Sequence, residues 1–537
     1  MRGLMMDYQL SIPAIVRRTE TLFGDRAVVS RRPDRTVGRS SYAEVLERTK
    51  RLGAALQRLG IRRGDRVATL AWASQQHLEV YLAVPSIGAV LHTLNLRLHH
   101  DDLAYIVNDA SDRVLVVDES LLPLYEKFRA HTAIERVVVI GSSPGPGYLD
   151  YEALLAEADL AGRRDVDVDE QDAAAMCYTS GTTGRPKGVV YSHRAIVLHS
   201  FGQGMVDTLG IGERDTVLPI VPMFHVNPWG LPFTCTLFGA GQVFPGPHLD
   251  PKSIADLLVS ERVTLRAGVP TVWLGLLQEL DAHPGEYDLS RLRAVVVGGS
   301  AAPASMIRAF KERHGLDVVH AWGMTEMAPL GTLCNLPTSL RDAPPEVQLQ
   351  YRARQGTPLP FVEIRATTEQ GPAPWDGSTM GELEVRGPWV ARQYYNVDGP
   401  DDRFTPDGWF RTGDIVTISS RGCIELTDRA KDLVKSGGEW ISSVALENAL
   451  MGHPKVAEAA VVAVPHPRWD ERPLAVVVLK PGQSALPDEL VAFLEPHFAK
   501  WWLPDTVEFV TELPRTSAGK FKKSALRERY RGRYMNV

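Results

Sequence analysis

Short apolar runs that end in glycine- and proline-rich loops recur along the chain, and amphipathic segments separate them. RVLVVDES (113–120), RVVVIGSS (136–143) and RLRAVVVGGSAAP (291–303) each read as a strand that is apolar on both faces and runs into a loop. Strands without polar alternation are buried on both sides, as in parallel sheets covered by helices. SYAEVLERTKRLGAALQRLG (41–60) supplies one such covering segment, with Val45, Leu46, Leu52, Leu56 and Leu59 at helical spacing before Gly60 stops it. DRVATLAW then follows as a strand. This alternation predicts an α/β architecture. Near the end, AEAAVVAVPHP (457–467) and LAVVVLKPG (474–482) are two more strands, and SALPDELVAFLEPHFAK is helical, which together read as a small α+β unit. Between the two regions lies DRAKDLVKSGGEWISS (428–443), charged and then glycine-rich, where a hinge is expected. The expected division is therefore 1–427 and 428–537, with the hinge near Asp428.

A chain of 537 residues is too long for one core, and 44% hydrophobic with 23% charged composition is that of an ordinary globular protein. The net charge of −6 and the pI near 6.2 leave no global basic field for nucleic acid, so any anion site must be local. Cys177, Cys235, Cys334 and Cys423 show no Cys-x-x-Cys spacing, which speaks against a zinc site or a disulfide framework and for a reducing cytoplasm. MRGLMMDYQLSIP has Asp7 and Pro13 where an export signal would need an unbroken apolar run. From Thr216 to Leu249 there is no Asp, Glu, Lys or Arg, but six prolines break the stretch. A membrane-spanning helix would lose too many hydrogen bonds there, so buried interior is expected.

One loop carries the chemistry. YTSGTTGRPKG (178–188) follows the apolar run AAAMCY and gathers glycines and hydroxyls around one lysine. Such residues disfavour helix and strand and offer free backbone N–H groups and hydroxyls, a surface suited to phosphate oxygens. Gly181 and Gly184 lie too close together for a Walker A loop, and Lys187 comes after Arg185 and Pro186. The physics of a phosphate cradle remains: Thr179, Ser180, Thr182 and Thr183 donate, and Lys187 adds charge.

YTSGTTGRPKGV, AWGMTE (321–326), FRTGD (410–414), DRAKDLVKSGGEWIS (428–442) and PRTSAGKFKK (514–523) occur in the order found in the adenylate-forming superfamily, and the chain resembles an acyl-CoA synthetase from roughly residue 20 to 530. KSGGEWISSVALENALMGHPKV and PHPRWDERPLAVVV are similar to bacterial medium- and long-chain fatty acyl-CoA ligases and their relatives, including 3-methylthiopropionyl-CoA ligases. The resemblance implies a large multi-subdomain N-terminal adenylation domain with acyl and ATP pockets and a small mobile C-terminal lid. It also implies two steps with ATP, Mg²⁺ and CoA. A carboxylate attacks the α-phosphate of ATP to give acyl-AMP and pyrophosphate; the CoA thiol then displaces AMP. Bringing an anion up to a polyanion makes positioning and charge neutralisation the main work of catalysis.

Carried over residue by residue, the resemblance implies that Thr179 and Glu326 hold magnesium. Ser180, Gly181, Thr182, Thr183, Gly184 and Lys187 hold the β- and γ-phosphates. Trp322, standing where many relatives have tyrosine, stacks on adenine beside Gly323, Met324 and Thr325, and Gly299, Ser300, Ala301 and Ala302 let the nucleotide approach the backbone. Asp414 binds the ribose hydroxyls with help from Arg429; Lys431, Lys435 and Trp440 contact the adenylate. Read without the resemblance, Lys431 and Lys435 are an i,i+4 pair on a charged helical face. Lys520 serves adenylation, and its neighbours Lys522 and Lys523 are read as solvated. His225, with Val226, lies between the acyl and nucleotide pockets and orients the carboxylate; Trp229 gates the acyl tunnel. Gly437 and Gly438, after Ser436, admit pantetheine once the lid has turned about Asp428.

A medium- or long-chain fatty acid is the first expectation for the substrate, because the 201–240 region and the residues after Ala302 are rich in apolar side chains. A short thioether acid or an aryl acid is the alternative. An acyl-AMP ligase serving a carrier protein would share every nucleotide motif, a non-enzymatic nucleotide-binding regulator would have lost one of them, and nothing specific favours a luciferase-like oxygenase. The fatty-acid resemblance also suggests a homodimer.

Overall fold

The computed structural model describes residues 1, 3–142, 145–162, 164, 166–179, 185–437, 439–516 and 521–534. Among these residues the strands form four sheets. The first has nine strands in the spatial order Thr357–Pro358, Leu330–Cys334, Val318–Gly323, Ala294–Val297, Leu265–Gly268, Thr216–Pro219, Gly241–Phe244, Ala27–Arg31 and Val37–Ser41. Its centre is parallel. The second has seven strands, Leu149–Asp150, Arg136–Ile140, Asp112–Asp118, Arg66–Leu70, Val90–Thr93, Ala173–Tyr178 and Gly188–Ser192, parallel except for the last pair. A five-stranded antiparallel sheet ends with Phe410–Ile418 and Ile424–Arg429. The apolar runs at 113–120, 136–143 and 291–303 thus contain buried parallel strands, as expected.

The helix expected over 41–60 is Tyr42–Arg58. Ser41 Oγ accepts from the Glu44 N–H while the Glu44 carboxylate accepts from the Ser41 N–H, so both donors at the helix start are satisfied. Its buried face, with Val45, Leu52 and Leu56 at 0% exposure, joins Leu78 and Leu82 of the helix Gln75–Ser86 in a cluster that draws residues from both large sheets. The charge-free stretch from Thr216 contributes the strands Thr216–Pro219 and Gly241–Phe244 and the helix Leu231–Phe238, all largely buried. Among the described residues no helix is long and apolar enough to cross a membrane.

The fourth sheet belongs to the small C-terminal domain and contains Glu439–Ile441, Val434–Ser436, Asp470–Leu479 and Val456–His466, with Thr506–Phe509 parallel to Asp470–Leu479. Its two apolar clusters draw only on residues from Val434 onward, whereas the clusters of the large domain end at Leu426. The segment after Arg429 corrects one reading. Lys431 and Lys435 do not share a helical face, because the chain makes a turn and enters the hairpin Val434–Ser436 and Glu439–Ile441. β-branched Val434 and Ile441, both 0% exposed, face each other across that hairpin and bury better there than on a helix.

Candidate functional site

Parallel strands bring their carboxyl ends to one edge, and loops leaving that edge form the crevice where ligands bind in open α/β sheets. Ala294–Val297 delivers Gly298 and Gly299, Val318–Gly323 delivers Met324 to Glu326, and Ala173–Tyr178 of the second sheet delivers Thr179. These loops meet at a cavity of about 560 Å³. Thr179, Lys187, His225, Val226, Trp229, Gly299, Trp322, Gly323, Met324, Thr325, Glu326, Arg429 and Lys431 all line it. A second chamber of about 220 Å³ shares Gly299, Trp322, Gly323, Arg429 and Lys431 with the first and adds Ala301 and Asp414. Trp322 therefore stands at the junction of the two.

Around Glu326 and Lys187 the cavity is held by a connected set of side chains. Glu326, 5% exposed, accepts a hydrogen bond from the Tyr394 hydroxyl at 2.6 Å. Lys187 Nζ lies 4.5 Å from the centre of the Tyr394 ring and donates to Asp401 Oδ2 at 2.6 Å. Burial opposes the Asp401 charge, but the Lys187 hydrogen bond, the Arg403 N–H and the charges of both residues together outweigh it and hold the carboxyl below its usual value. Thr179 Oγ1 accepts from the Lys187 N–H at 3.1 Å, and the Thr179 N–H donates to the Lys187 carbonyl at 2.9 Å, which closes the base of the loop. Ser180, Gly181, Thr182, Thr183 and Gly184 lie outside the described residues. Sequence reasoning missed Tyr394 and Asp401, which sit in YYNVDGPDD with no spacing that marks them.

At the other chamber, Trp322 Nε1 donates to Asp414 Oδ2 at 2.8 Å, a hydrogen bond to a buried carboxylate worth about 1.5–3 kcal/mol. Asp414 Oδ1 faces Arg429 Nε at 3.2 Å, and the two residues are cross-strand partners. The Asp414 charge raises the Arg429 pKa further, against burial. A tryptophan in place of tyrosine thus ties the ring plane to the carboxylate. Gly331 lies behind that ring: a Cβ there would come within 2.6 Å of Trp322 Cζ3, so only glycine lets the indole seat.

His225 opens a backbone segment that few sequences tolerate. Val226, Asn227 and Trp229 have φ of 49°, 50° and 60°, a region in which a β-branched residue costs of order 1–3 kcal/mol. The Trp229 carbonyl accepts from Gln203 Nε2 at 2.7 Å, Thr234 Oγ1 donates to Gln203 Oε1 at 2.6 Å, and Cys177 Sγ lies 3.7 Å from Asn227 Oδ1. These contacts hold Trp229 in the cavity, where Gly298 gives it room, with a Cβ position 3.0 Å from Trp229 Cη2. Beyond Trp229 the cavity wall is formed by Leu209, Leu231, Ala267, Val296 and Leu330, with Gln203 among them.

Not every expected residue comes to the cavity. Lys435 and Trp440 pair across the hairpin, with Lys435 Nζ 5.8 Å from the Trp440 ring centre, and neither lines either chamber. Gly437, at φ 62°, donates its N–H to the Trp469 carbonyl at 2.8 Å on the same hairpin. Gly438 and Lys520 lie outside the described residues, but Thr516, Phe521 and Lys522, which flank Lys520, line the chamber of Asp414. Lys523 corrects the sequence reading: its side chain is 11% exposed and paired with Glu447 at 2.7 Å, where a solvated lysine was expected.

A family model described as AMP-binding enzyme matches residues 17–395, and one described as AMP-binding enzyme C-terminal domain matches residues 445–520. A long-chain-fatty-acid–CoA ligase of Thermus thermophilus is 51% identical over 99% of this chain and 97% of its own length. A 3-methylmercaptopropionyl-CoA ligase of Ruegeria pomeroyi is 45% identical over 99% of both. Among solved structures, the anthranilate CoA ligase AuaEII in complex with anthranoyl-AMP superposes with a TM-score of 0.87 at 26% identity, covering 98% of this chain and 99% of that one.

Proposed function

We propose, from the premise that the chain belongs to the AMP-binding enzyme family, that it is an ATP-dependent ligase joining a medium- or long-chain fatty acid to CoA, with release of AMP and pyrophosphate. One observation carries the reading: the phosphate-end residues Thr179, Lys187 and Glu326 and the apolar wall of Leu209, Leu231, Ala267 and Val296 belong to one cavity, and His225 and Trp229 line it too. A fatty acid lying along that wall would present its carboxylate to ATP.

The side chains then divide the work. Lys187 exchanges its Asp401 partner for phosphate oxygens, Asp414 takes the ribose hydroxyls, and Trp322 with Gly299 and Ala301 frames the adenine. Thr179 and Glu326 are both oxygen donors on the same cavity, a set that fits a hard divalent cation. With magnesium held there, charge on the β- and γ-phosphates is neutralised. His225 orients the substrate carboxylate and transfers no proton, since a carboxylic acid is already ionised at neutral pH. Lys520 contacts the α-phosphate and carboxylate oxygens as charge shifts between them. The lid then turns about Asp428, bringing Gly437 and Gly438 to the pantetheine and Lys435 and Trp440 toward the adenylate. The boundary proposed for this motion is 427/428, and a cytoplasmic homodimer is the proposed setting.

A short thioether acid is the second reading, favoured by the 45% identity to the Ruegeria pomeroyi protein and by the amide of Gln203 within the apolar wall. CoA-dependent AMP release with saturated acids from three to eighteen carbons, 3-methylthiopropionate and cinnamate separates the two. The expected optimum is at eight carbons or more. An optimum on 3-methylthiopropionate overturns the substrate and keeps the chemistry. Adenylation without transfer to free CoA would favour a carrier-protein acceptor.

A further inference from the structure

The lid and the large domain meet through a buried ionic cluster that the reaction described so far does not use. Asp428 is the penultimate residue of the strand Ile424–Arg429 of the large domain and is 1% exposed. Its Oδ2 accepts from the N–H of Ser443 at 2.7 Å and from the Ser443 hydroxyl at 2.6 Å. Ser443 is the first residue of the helix Ser443–Met451, so the carboxylate sits at a helix N-terminus whose dipole favours it. The same hydroxyl oxygen accepts from Lys523 Nζ at 2.6 Å. Lys523 is also 2.7 Å from Glu447 Oε1, one turn further along that helix, and Glu447 Oε1 accepts from the Val461 N–H at 2.7 Å.

Lys523 opens the helix Lys523–Tyr530, three residues after Lys520 in the sequence. One turn later in that helix, Arg527 pairs with Asp432 and donates to the Lys431 carbonyl at 3.2 Å. Both cations of this helix hold residues on the lid side of the pivot, and through the shared Ser443 hydroxyl Lys523 reaches the contact with Asp428 that crosses it. Burial pushes Glu447 up to about 7 even with Lys523 beside it and raises Asp428 as well, and the Lys523 charge acts against both shifts. Without a cation at 523, two carboxylates would be left buried and uncompensated, the most costly arrangement for an ion cluster.

We infer that Lys523 is a positioning residue for adenylation: through Ser443 and Glu447 it locks the helix that follows Lys520 to Asp428, and so holds the lid in the orientation seen here. The inference rests on the ligase reading above. Asp428 belongs to a strand of the large domain and Ser443 to the lid, so rotation about the pivot must break the contact between them, and Lys523 sets how firmly it is held. Thr516, Phe521 and Lys522 line the nucleotide chamber in the locked state.

The test uses the full-length protein and separates the half-reactions: acid-dependent ATP–pyrophosphate exchange without CoA, and thioester formation from synthetic acyl-AMP plus CoA. Lys523→Met is expected to lower the exchange kcat by about tenfold or more while KM for ATP stays within about twofold, since displacement of a catalytic group costs rate rather than ground-state affinity. Thioester formation from the preformed adenylate is expected to persist, and Lys523→Arg is expected to restore exchange. Equal loss of both half-reactions, or exchange at the wild-type rate, overturns the inference. Should Lys523→Met fail to fold, Ser443→Ala decides: a selective fall in exchange supports the lock, and no change overturns it. A wild-type protein without exchange on any acid overturns the ligase reading itself, a result distinct from selective behaviour of the variants.

Discussion

Replacing Lys520 with alanine is expected to lower ATP–pyrophosphate exchange by about 10²–10³-fold and to leave thioester formation from preformed acyl-AMP nearly intact. Adenylation passes through a state in which charge builds on the α-phosphate and the leaving pyrophosphate. In the proposed reading Lys187 serves the β- and γ-phosphates, and Arg429 is engaged with Asp414. In that reading the α-phosphate draws on Lys520 of the lid, and Thr516, four positions before it in the sequence, lines both chambers. A mobile ammonium on a flexible stem can follow the charge as it shifts, where a guanidinium in a fixed fork would not. The second half-reaction needs a path for the thiol and no such cation. Stopped-flow measurement of both steps on the same preparation checks the asymmetry. An equal loss of both would remove Lys520 from the role.

The second large effect is on stability, and acid brings it out. His77, His193, His199 and His320 are all buried; burial pushes His77, His193 and His320 down to about 4 and His199 to about 3. Two of them need a bare ring nitrogen, because His193 Nδ1 accepts from the Ile12 N–H and His199 Nε2 from the Leu330 N–H. The folded values lie below the unfolded value of about 6.5, so the unfolded chain binds more protons and stability falls as pH falls. The contribution is complete above about pH 6.5 and is lost progressively toward pH 4, at up to about 1.4 kcal/mol per pH unit for each ring. Asp118 and Glu447, each raised to about 7 by burial, have the opposite sign: their cost builds as pH rises from about 4 to 7 and offsets part of the histidine term in the same window. The four rings outweigh the two carboxyls, so acidification is expected to lower stability, with the thermal midpoint falling by about 2–5 °C between pH 7 and pH 5 for a chain of this size. A midpoint that is flat over this interval, measured by calorimetry in matched ionic strength, would contradict the neutral burial of these rings.

Much of this molecule is legible in its sequence for identifiable reasons. RVLVVDES and RVVVIGSS could only be buried parallel strands, because nothing polar alternates along them. The helix at 42–58 announced its apolar face and, through Gly60, its end, while the Ser41 and Glu44 cap at its start emerged only in the structure. The site residues that belong to contiguous motifs, such as Thr179, Trp322 and Glu326, meet in one cavity because each motif leaves the carboxyl end of a strand at the same edge. What could not be read is pairing across the chain. Lys523 and Glu447 are 76 positions apart by number, and a lysine among GKFKK looks solvated until Glu447 and Asp428 close around it. Tyr394 and Asp401 are invisible for the same reason: their partners Glu326 and Lys187 come from other loops. The hairpin at 434–441 misled as well, since Lys431 and Lys435 fit helical spacing by chance while Val434 and Ile441 had a better burial across strands.

The most direct measurement follows oxygen from the acid into the nucleotide. With octanoate carrying ¹⁸O in both carboxylate positions, CoA and ATP, the account predicts AMP bearing one ¹⁸O atom and octanoyl-CoA retaining the other, because the attacking carboxylate oxygen stays on the α-phosphorus when the thiol displaces AMP. Label appearing in inorganic phosphate, with ADP as the nucleotide product, would mean attack at the terminal phosphate and would contradict the adenylate mechanism.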